Sequence, residues 1–297
     1  MNARPRRPTP RLHILDPGPA STVQDLGRPG WFHAGVGESG AVDRAAVRLA
    51  NRLVGNAESA AAIECVLGGL TVEFDLPAVV AVTGAPAPVT VGGRAEPVAS
   101  VLFVEAGRQV RLGVAATGLR CYLAVRGGIA VEPVLGSRSR DTLAGLGPEP
   151  LRRGDILPVG APARGWPVVD IAPVVPLTGA PVRARVRLGP RAEWFTSPED
   201  LFAGAWRVSP EADRIGIRLD RAGGAPPLRR IDDAELPTEG MALGAIQVPP
   251  AGRPVVLLAD RPITGGYPVV GTVIDADVDL LGQARPGQLV EFRSWRP

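Results

Sequence analysis

Val101-Leu102-Phe103-Val104-Glu105-Ala106-Gly107-Arg108-Gln109-Val110-Arg111-Leu112-Gly113-Val114 is the stretch whose reading decides the fold class. Two short apolar runs flank a Gly-bearing turn, so the segment reads as two strands, 101–105 and 110–114, joined by a tight reversal. The same rhythm extends outward through 79–83, 89–91, 121–125 and 156–159, punctuated by Gly92-Gly93, Gly127-Gly128 and Arg153-Gly154-Asp155. Strands recurring at roughly 8–12 residues with turn signals between them predict a closed or nearly closed β-barrel. A first strand is expected at 12–15, and 17–29 reads as a turn-rich stretch.

The segment 161–181 holds five prolines without a steady period and reads as a linker. Beyond it the β rhythm restarts. Ala184, Val186 and Leu188 alternate with three arginines, and Ile215, Ile217 and Leu219 alternate likewise. Further strands are expected at 244–250, 255–258, 269–274 and 289–292, with a short helix at 196–202 and a short acidic-capped turn or helix at 275–281. The expected organisation is a disordered tail at 1–11, a β-barrel-like domain at 12–165 and a second β domain at 180–297. The clearest helix spans 39–54. Ser39 is its expected N-cap, Asp43 lies in its first turn, and Val42, Ala46, Leu49 and Leu53 form its buried stripe, with Gly55 ending it.

Composition narrows the function. The chain has 297 residues, 45% of them hydrophobic, with 37 Gly and 32 Pro, so its apolar residues fall in short blocks suited to strands and turns rather than to disorder. It contains no lysine, so all 33 basic residues are arginine, which excludes a Schiff-base, P-loop or biotin-accepting lysine. A net charge of +3, with acids interspersed, is no nucleic-acid footprint. No apolar run approaches the roughly 20 residues of a membrane span, and the Arg/Pro-rich start lacks a secretory apolar core, so a cytoplasmic protein is expected. Cys65 and Cys121 sit in apolar company and read as buried thiols. With only His13 and His33 present, no metal site is expected.

The polar stretch least explained by packing is Asp260-Arg261-Pro262-Ile263-Thr264-Gly265-Gly266-Tyr267-Pro268, delivered by the apolar run at 255–258. Adjacent glycines let a backbone approach a ligand closely. Two readings stay open. In one, the turn presents a carboxylate, a guanidinium, a hydroxyl and a phenol to a ligand. In the other, Asp260 is a structural ion-pair partner of Arg261 or Arg214 at the barrel rim.

Several motifs resemble one family in order along the chain. They are Val23-Gln24-Asp25-Leu26-Gly27-Arg28-Pro29-Gly30, the helix segment from Ser39-Gly40-Ala41-Val42-Asp43 through Asn56, and Val208-Ser209-Pro210-Glu211-Ala212-Asp213-Arg214-Ile215-Gly216. Towards the C-terminus follow Glu239-Gly240, Gly244-Ala245-Ile246-Gln247-Val248-Pro249-Pro250 and the Asp260–Tyr267 turn. The resemblance, running from about 12 to 292, is to the biotin-dependent carboxyltransferase family, also called allophanate hydrolase subunit 2. It implies a mainly β fold of two cyclophilin-like β-barrel domains with a few short helices. It also implies partners: a subunit 1 or B homologue and a third subunit. Together they would form an ATP-dependent 5-oxoprolinase that opens the 5-oxo-L-proline lactam to L-glutamate. ATP would sit on a partner, and no cofactor would be bound covalently here. Two alternatives accompany this: a regulatory protein that sequesters the subunit 1 homologue, and the carboxyltransferase part of a urea carboxylase-like system.

A lactam and a urea each pair a C=O acceptor with an N–H donor. Gln247 suits that pattern, Arg261 suits a carboxylate or a polarised carbonyl, and Asp260 or Glu239 suits proton acceptance. Asp260, Arg261 and Glu239 are therefore the expected catalytic residues. Gln247, Thr264, Gly265, Gly266, Tyr267, Gln24, Asp25, Ser39 and Asp43 are the expected substrate-binding residues. These segments are expected to converge at one barrel mouth, or to face the partner subunit across one cleft.

Overall fold

The computed structural model describes residues 9–296 except 163, 164, 168, 225, 226, 233 and 235. Most of the expected tail, residues 1–8, and part of the expected linker therefore lie outside the described residues. The chain is mainly β. Its first part contains β1 (Arg11–Pro17), β2 (Ser21–Gln24), helix α1 (Arg44–Leu53), β3 (Ala62–Val66), β4 (Leu70–Phe74), β5 (Ala78–Gly84) and β6 (Val89–Val91). These are followed by β7 (Arg94–Glu96), β8 (Leu102–Val104), β9 (Gln109–Leu112), β10 (Arg120–Val125) and β11 (Ile156–Pro158). Two sheets result, one of six strands ordered β11-β1-β4-β9-β6-β7 and one of five ordered β2-β3-β10-β5-β8.

One apolar core joins residues of both sheets, among them Leu12, Ile63, Leu70, Phe74, Val82 and Leu123. A second packs α1 against the five-stranded sheet through Val47, Ala50, Leu53, Ala81, Tyr122 and Ala124. This part is thus two layered sheets with a helix on one face, where a nearly closed barrel was expected. The turn-rich reading of 17–29 missed β2, whose four residues are all buried. Period-two patterning cannot find a strand without an exposed face.

The second part contains β12 (Val182–Leu188), β13 (Ala205–Val208), β14 (Gly216–Ala222), β15 (Glu239–Gly240), β16 (Ala245–Gln247) and β17 (Val255–Leu257). It ends with β18 (Thr264–Gly265), β19 (Val269–Val273), helix α2 (Asp275–Leu281) and β20 (Leu289–Ser294). Seven strands close into a barrel in the order β12-β19-β16-β17-β14-β13-β20. Closure is made by parallel pairing of β12 with β20, from Val182 opposite Val290 to Val186 opposite Ser294. β15 and β18 form a separate two-stranded ribbon. The alternation of Ala184 and Val186 with Arg183, Arg185 and Arg187 is the inside–outside alternation of a barrel strand.

The 161–181 segment is attached rather than free. Val101 N–H donates to Asp170 O, Ala172 N–H to Ala99 O, and Thr117 Oγ1 to Leu177 O. Helix α1 also begins later than expected. Asp43 is its N-cap, accepting from Ala46 N–H at 2.9 Å, while Ser39 lies upstream with φ of 55°. Its buried face is Ala46, Val47, Ala50, Asn51 and Leu53. Asn51, a polar residue on that face, is accommodated because its amide donates to the carbonyls of Glu58 and Ala60. Val42, expected on that stripe, packs into the barrel core instead. The loop before α1 therefore connects the two parts of the fold.

Candidate functional site

The site lies where the first sheets meet the barrel, and it is organised by Arg214. Asp213 Oδ1 accepts from the N–H groups of Ile215 and Gly216, a tight turn that leads into β14 and places the neighbouring guanidinium inward. Arg214 Nε donates to Asp260 Oδ2 at 2.9 Å, and Nη2 donates to Asp260 Oδ1 at 3.0 Å and to Gly40 O at 2.6 Å. Its Nη1 donates to Glu64 Oε1. One arginine from the barrel thus holds a carboxylate of its own part and another from β3, with the planar fork suited to both.

Asp260 accepts three further bonds: from Ser39 Oγ at 2.6 Å, Thr142 N–H at 2.8 Å and Thr142 Oγ1 at 2.7 Å. Burial opposes its ionised form, but the charge and hydrogen bonds of Arg214, with those of Ser39 and Thr142, hold its carboxyl below the ordinary value. A buried carboxylate so occupied is poorly placed to take a proton from substrate. Of the two readings of the sequence, Asp260 follows the ion-pair one, with Arg214 as partner and not Arg261.

Glu64 is the counterpart in the first part. Its Oε2 accepts from Val42 N–H at 3.0 Å and from Tyr122 Oη at 2.7 Å. Burial works against the Glu64 charge, yet Arg214 and Arg120 outweigh it and keep this carboxyl low. Tyr122 Oη in turn accepts from Asp43 N–H at 2.8 Å. Burial pushes the Tyr122 phenol well up, so it stays a donor to Glu64. Arg120 Nη1 donates to Gly282 O, while Arg120 Nε is buried without a hydrogen-bond partner, 3.6 Å from Glu64 Oε1.

A cleft of about 600 Å³ opens over this floor, with Glu64, Arg120, Arg214, Thr22, Asp213 and Arg285 among its lining residues. Arg285 is fixed at its edge by bonds to the carbonyls of Gly118 and Ala115. On another side, a smaller pocket of about 150 Å³ has Glu38, Ser39, Arg44, Arg48 and Arg261 in its walls.

The expected site residues divide into three groups. Gln24 and Asp25 converge with Ser39 and Asp260 through the loop after Val134. Gln24 Nε2 donates to Arg140 O at 2.9 Å, and Ser39 Oγ lies 3.2 Å from the same carbonyl. Asp25 accepts from Gly27 N–H, Ser137 Oγ, Ser139 Oγ and Arg138 N–H, and so shapes the loop that delivers Thr142. Asp43 lies apart, against Tyr122 and Gln283. The third group stands at the ribbon. Glu239 is opposite Gly265 and ion-paired with Arg191, Thr264 is exposed, and Gln247 Nε2 donates to Tyr267 O at 3.2 Å. A Cβ on Gly265 would stand 2.5 Å from Gln247 Nε2, while Gly266 would only touch Leu236 O, at 3.6 Å. Arg261 joins this group to the first part, donating to Met241 O at 3.1 Å and to Glu38 Oε2 at 3.0 Å. Convergence on one mouth is therefore partial.

Glu64, Arg120, Tyr122 and Thr142 were not singled out from sequence, and Arg214 only as a possible ion-pair partner. Glu64 and Arg120 had a readable signal: each is a lone charge within or at the head of an apolar strand, which must be paired if buried. Among the described residues no cluster of three His, Cys, Asp or Glu side chains is placed to hold a metal ion, and no helix is long and apolar enough to cross a membrane.

Residues 34–294 match the family model for the carboxyltransferase domain, subdomain A and B. The chain is 38% identical over 286 residues to the C-type subunit of 5-oxoprolinase from Escherichia coli K12, covering 95% of this chain and 90% of that protein. It is 32% identical over 317 residues to urea amidolyase of Saccharomyces cerevisiae, covering 98% of this chain but 17% of that protein. Among solved structures, TTHA0988 superposes with a TM-score of 0.86 at 36% identity, over 99% of this chain and 57% of that one. The chain thus spans a little over half of TTHA0988 and nearly all of the E. coli protein.

Proposed function

The chain belongs to the family of carboxyltransferase domains, subdomain A and B, and on that premise we propose that it is the C-type subunit of a 5-oxoprolinase. With its partner subunits it opens the lactam of 5-oxo-L-proline to L-glutamate, in a reaction driven by ATP bound on a partner. The observation that carries the substrate assignment is the cleft between the two parts of the fold, floored by Glu64, Arg120 and Arg214. Its charges are unevenly spent. Arg214 is fully engaged by two carboxylates and a carbonyl, whereas Arg120 has a buried Nε with no bond made.

Arg120, with Arg285 at the edge, receives the substrate carboxylate and leaves the lactam amide towards the Thr22 and Thr142 side. A guanidinium in a water-poor cleft binds a carboxylate more strongly than one in bulk solvent. Glu64 and Asp260 act as fixed negative charges that hold Arg214 and the cleft floor in place. Proton acceptance and ATP chemistry fall to groups outside this floor. The exposed Tyr267 and Thr264 beside Glu239 and Gln247 suit the face that meets a partner subunit.

The test is glutamate release by the reconstituted complex, with each subunit omitted in turn. Omission of this chain is expected to abolish ATP-driven release, and Arg120→Gln to raise KM about tenfold or more with a smaller change in kcat. Full activity without this chain would end the enzymatic reading in favour of a sequestering role. The likeness to yeast urea amidolyase favours a second reading, carboxyl transfer to a urea-type amide. Turnover that requires a biotinylated protein and bicarbonate would select it.

A further inference from the structure

Gln283 follows α2 in the barrel part, is 3% exposed, and makes four hydrogen bonds with its carboxamide. Its Oε1 accepts from Leu119 N–H at 2.9 Å and Arg120 N–H at 2.8 Å. Its Nε2 donates to Arg120 O at 2.9 Å and to Asp43 Oδ2 at 2.7 Å. The amide therefore meets both the N–H and the C=O of Arg120, as a neighbouring strand would, and at the same time ties in the N-cap of α1. The preceding carbonyl, Gly282 O, accepts from the Arg120 side chain. Main chain and guanidinium of one residue are both held from a two-residue step of the barrel.

We infer that Gln283 is the positioning residue that sets the Arg120 guanidinium in the cleft floor, a role that rests on the assignment of that cleft to substrate. Gln283 lies under the floor and acts through Arg120. A side chain with one donor end and one acceptor end is required, because Arg120 offers an N–H and a C=O side by side. Glutamate at this position keeps both accepted bonds but loses the donated ones, and sets a second carboxylate against Asp43. The other charged or titratable groups around it are Asp279 and Arg44 at the α1–α2 contact, Glu64, Tyr122 and Arg120 on β3 and β10, and Arg285 two residues on. Protonation of the new carboxyl at lower pH restores a donor.

The experiment uses Gln283→Glu and Gln283→Ala within the full complex. Two readouts are taken, and far-UV spectra check that the variants are folded. The first is phenylglyoxal labelling of Arg120 at pH 8, followed by peptide mass mapping. Protection is expected in the wild type, and labelling about tenfold faster in folded Gln283→Glu. The second is KM for 5-oxoproline, expected to rise about tenfold in Gln283→Glu at pH 8 with kcat nearly kept, and to return towards the wild-type value at pH 6. Equal protection of Arg120 in the wild type and folded Gln283→Glu would overturn the positioning role. A kcat loss without a KM change would overturn its link to substrate. A wild-type complex with no lactam turnover would refute the proposed function instead, and the labelling would still decide whether Gln283 places Arg120.

Discussion

Replacing Arg214 by Met keeps much of the side-chain length and removes the charge on which both parts of the fold converge. Four hydrogen bonds are lost: two to Asp260, one to Glu64 and one to Gly40 O. The two carboxylates are not left equal. Asp260 keeps Ser39 and both Thr142 donors, whereas Glu64 keeps Tyr122, Val42 N–H and the more distant Arg120. Removing one partner of a buried ion pair costs about 3–5 kcal/mol, because the uncompensated charge stays buried. At about 2–3 °C per kcal/mol for a chain of this size, the melting temperature at pH 7 should fall by roughly 6–15 °C.

The pH dependence gives the sharper test. In the wild type Glu64 and Asp260 are held low, so their contribution is present above the unfolded carboxyl value near pH 4 and is lost below it. Without Arg214 the same burial raises both groups in the folded state, so the variant binds protons on folding and weakens as pH rises. The gap in melting temperature between wild type and Arg214→Met should therefore widen from pH 5 to pH 8 in thermal scans at matched ionic strength. A gap under about 2 °C, or one constant across that range, would refute the view that this junction is held by charge.

Three further outcomes follow from the same geometry. Asp43 is raised by burial from its ordinary 3.8 to about 6, so its contribution is full below about pH 4 and is lost as pH rises through about 6. Asp43→Asn removes that titration, and urea midpoints at pH 4.5 to 7.5 should decline less with pH than in the wild type; parallel curves would contradict it. Gly27→Ala puts a Cβ 2.5 Å from Glu38 O at a φ of 91°, both backbone constraints, so a loss of about 2–3 kcal/mol is expected in the same assay. Arg261→Lys keeps one charge beside Glu38 but not the fork that also reaches Met241 O, and should cost about 1 kcal/mol with folding retained.

Much of the fold was legible from local pattern. Alternating and short apolar runs placed strands at 89–91, 121–125 and 269–274, where β6, β10 and β19 lie, and the acidic-capped turn or helix read at 275–281 is α2. Strand existence depends on neighbours in sequence, so a sequence shows it. Motif order likewise brought Gln24, Asp25, Ser39, Asp43, Gln247 and the Asp260–Tyr267 turn forward as one site, and of these the structure joins Gln24, Ser39 and Asp260 through Arg140 O and Thr142.

Which charge pairs with which was decided only in three dimensions. Asp260 stands next to Arg261 in the chain, at a turn in which Arg261 N–H donates to Leu258 O, yet the two side chains go to different partners. Asp260 pairs with Arg214, 46 residues away, while Arg261 turns to Glu38, 223 residues away. Glu64 is a lone charge in an apolar strand until the fold sets its Oε1 between Arg120 and the Arg214 brought by the barrel, and Gln283 gains meaning only where it meets the backbone of Arg120. Local periodicity determined where strands lie. Burial at the contact between sheets and barrel, which no local pattern encodes, determined which polar groups had to find one another.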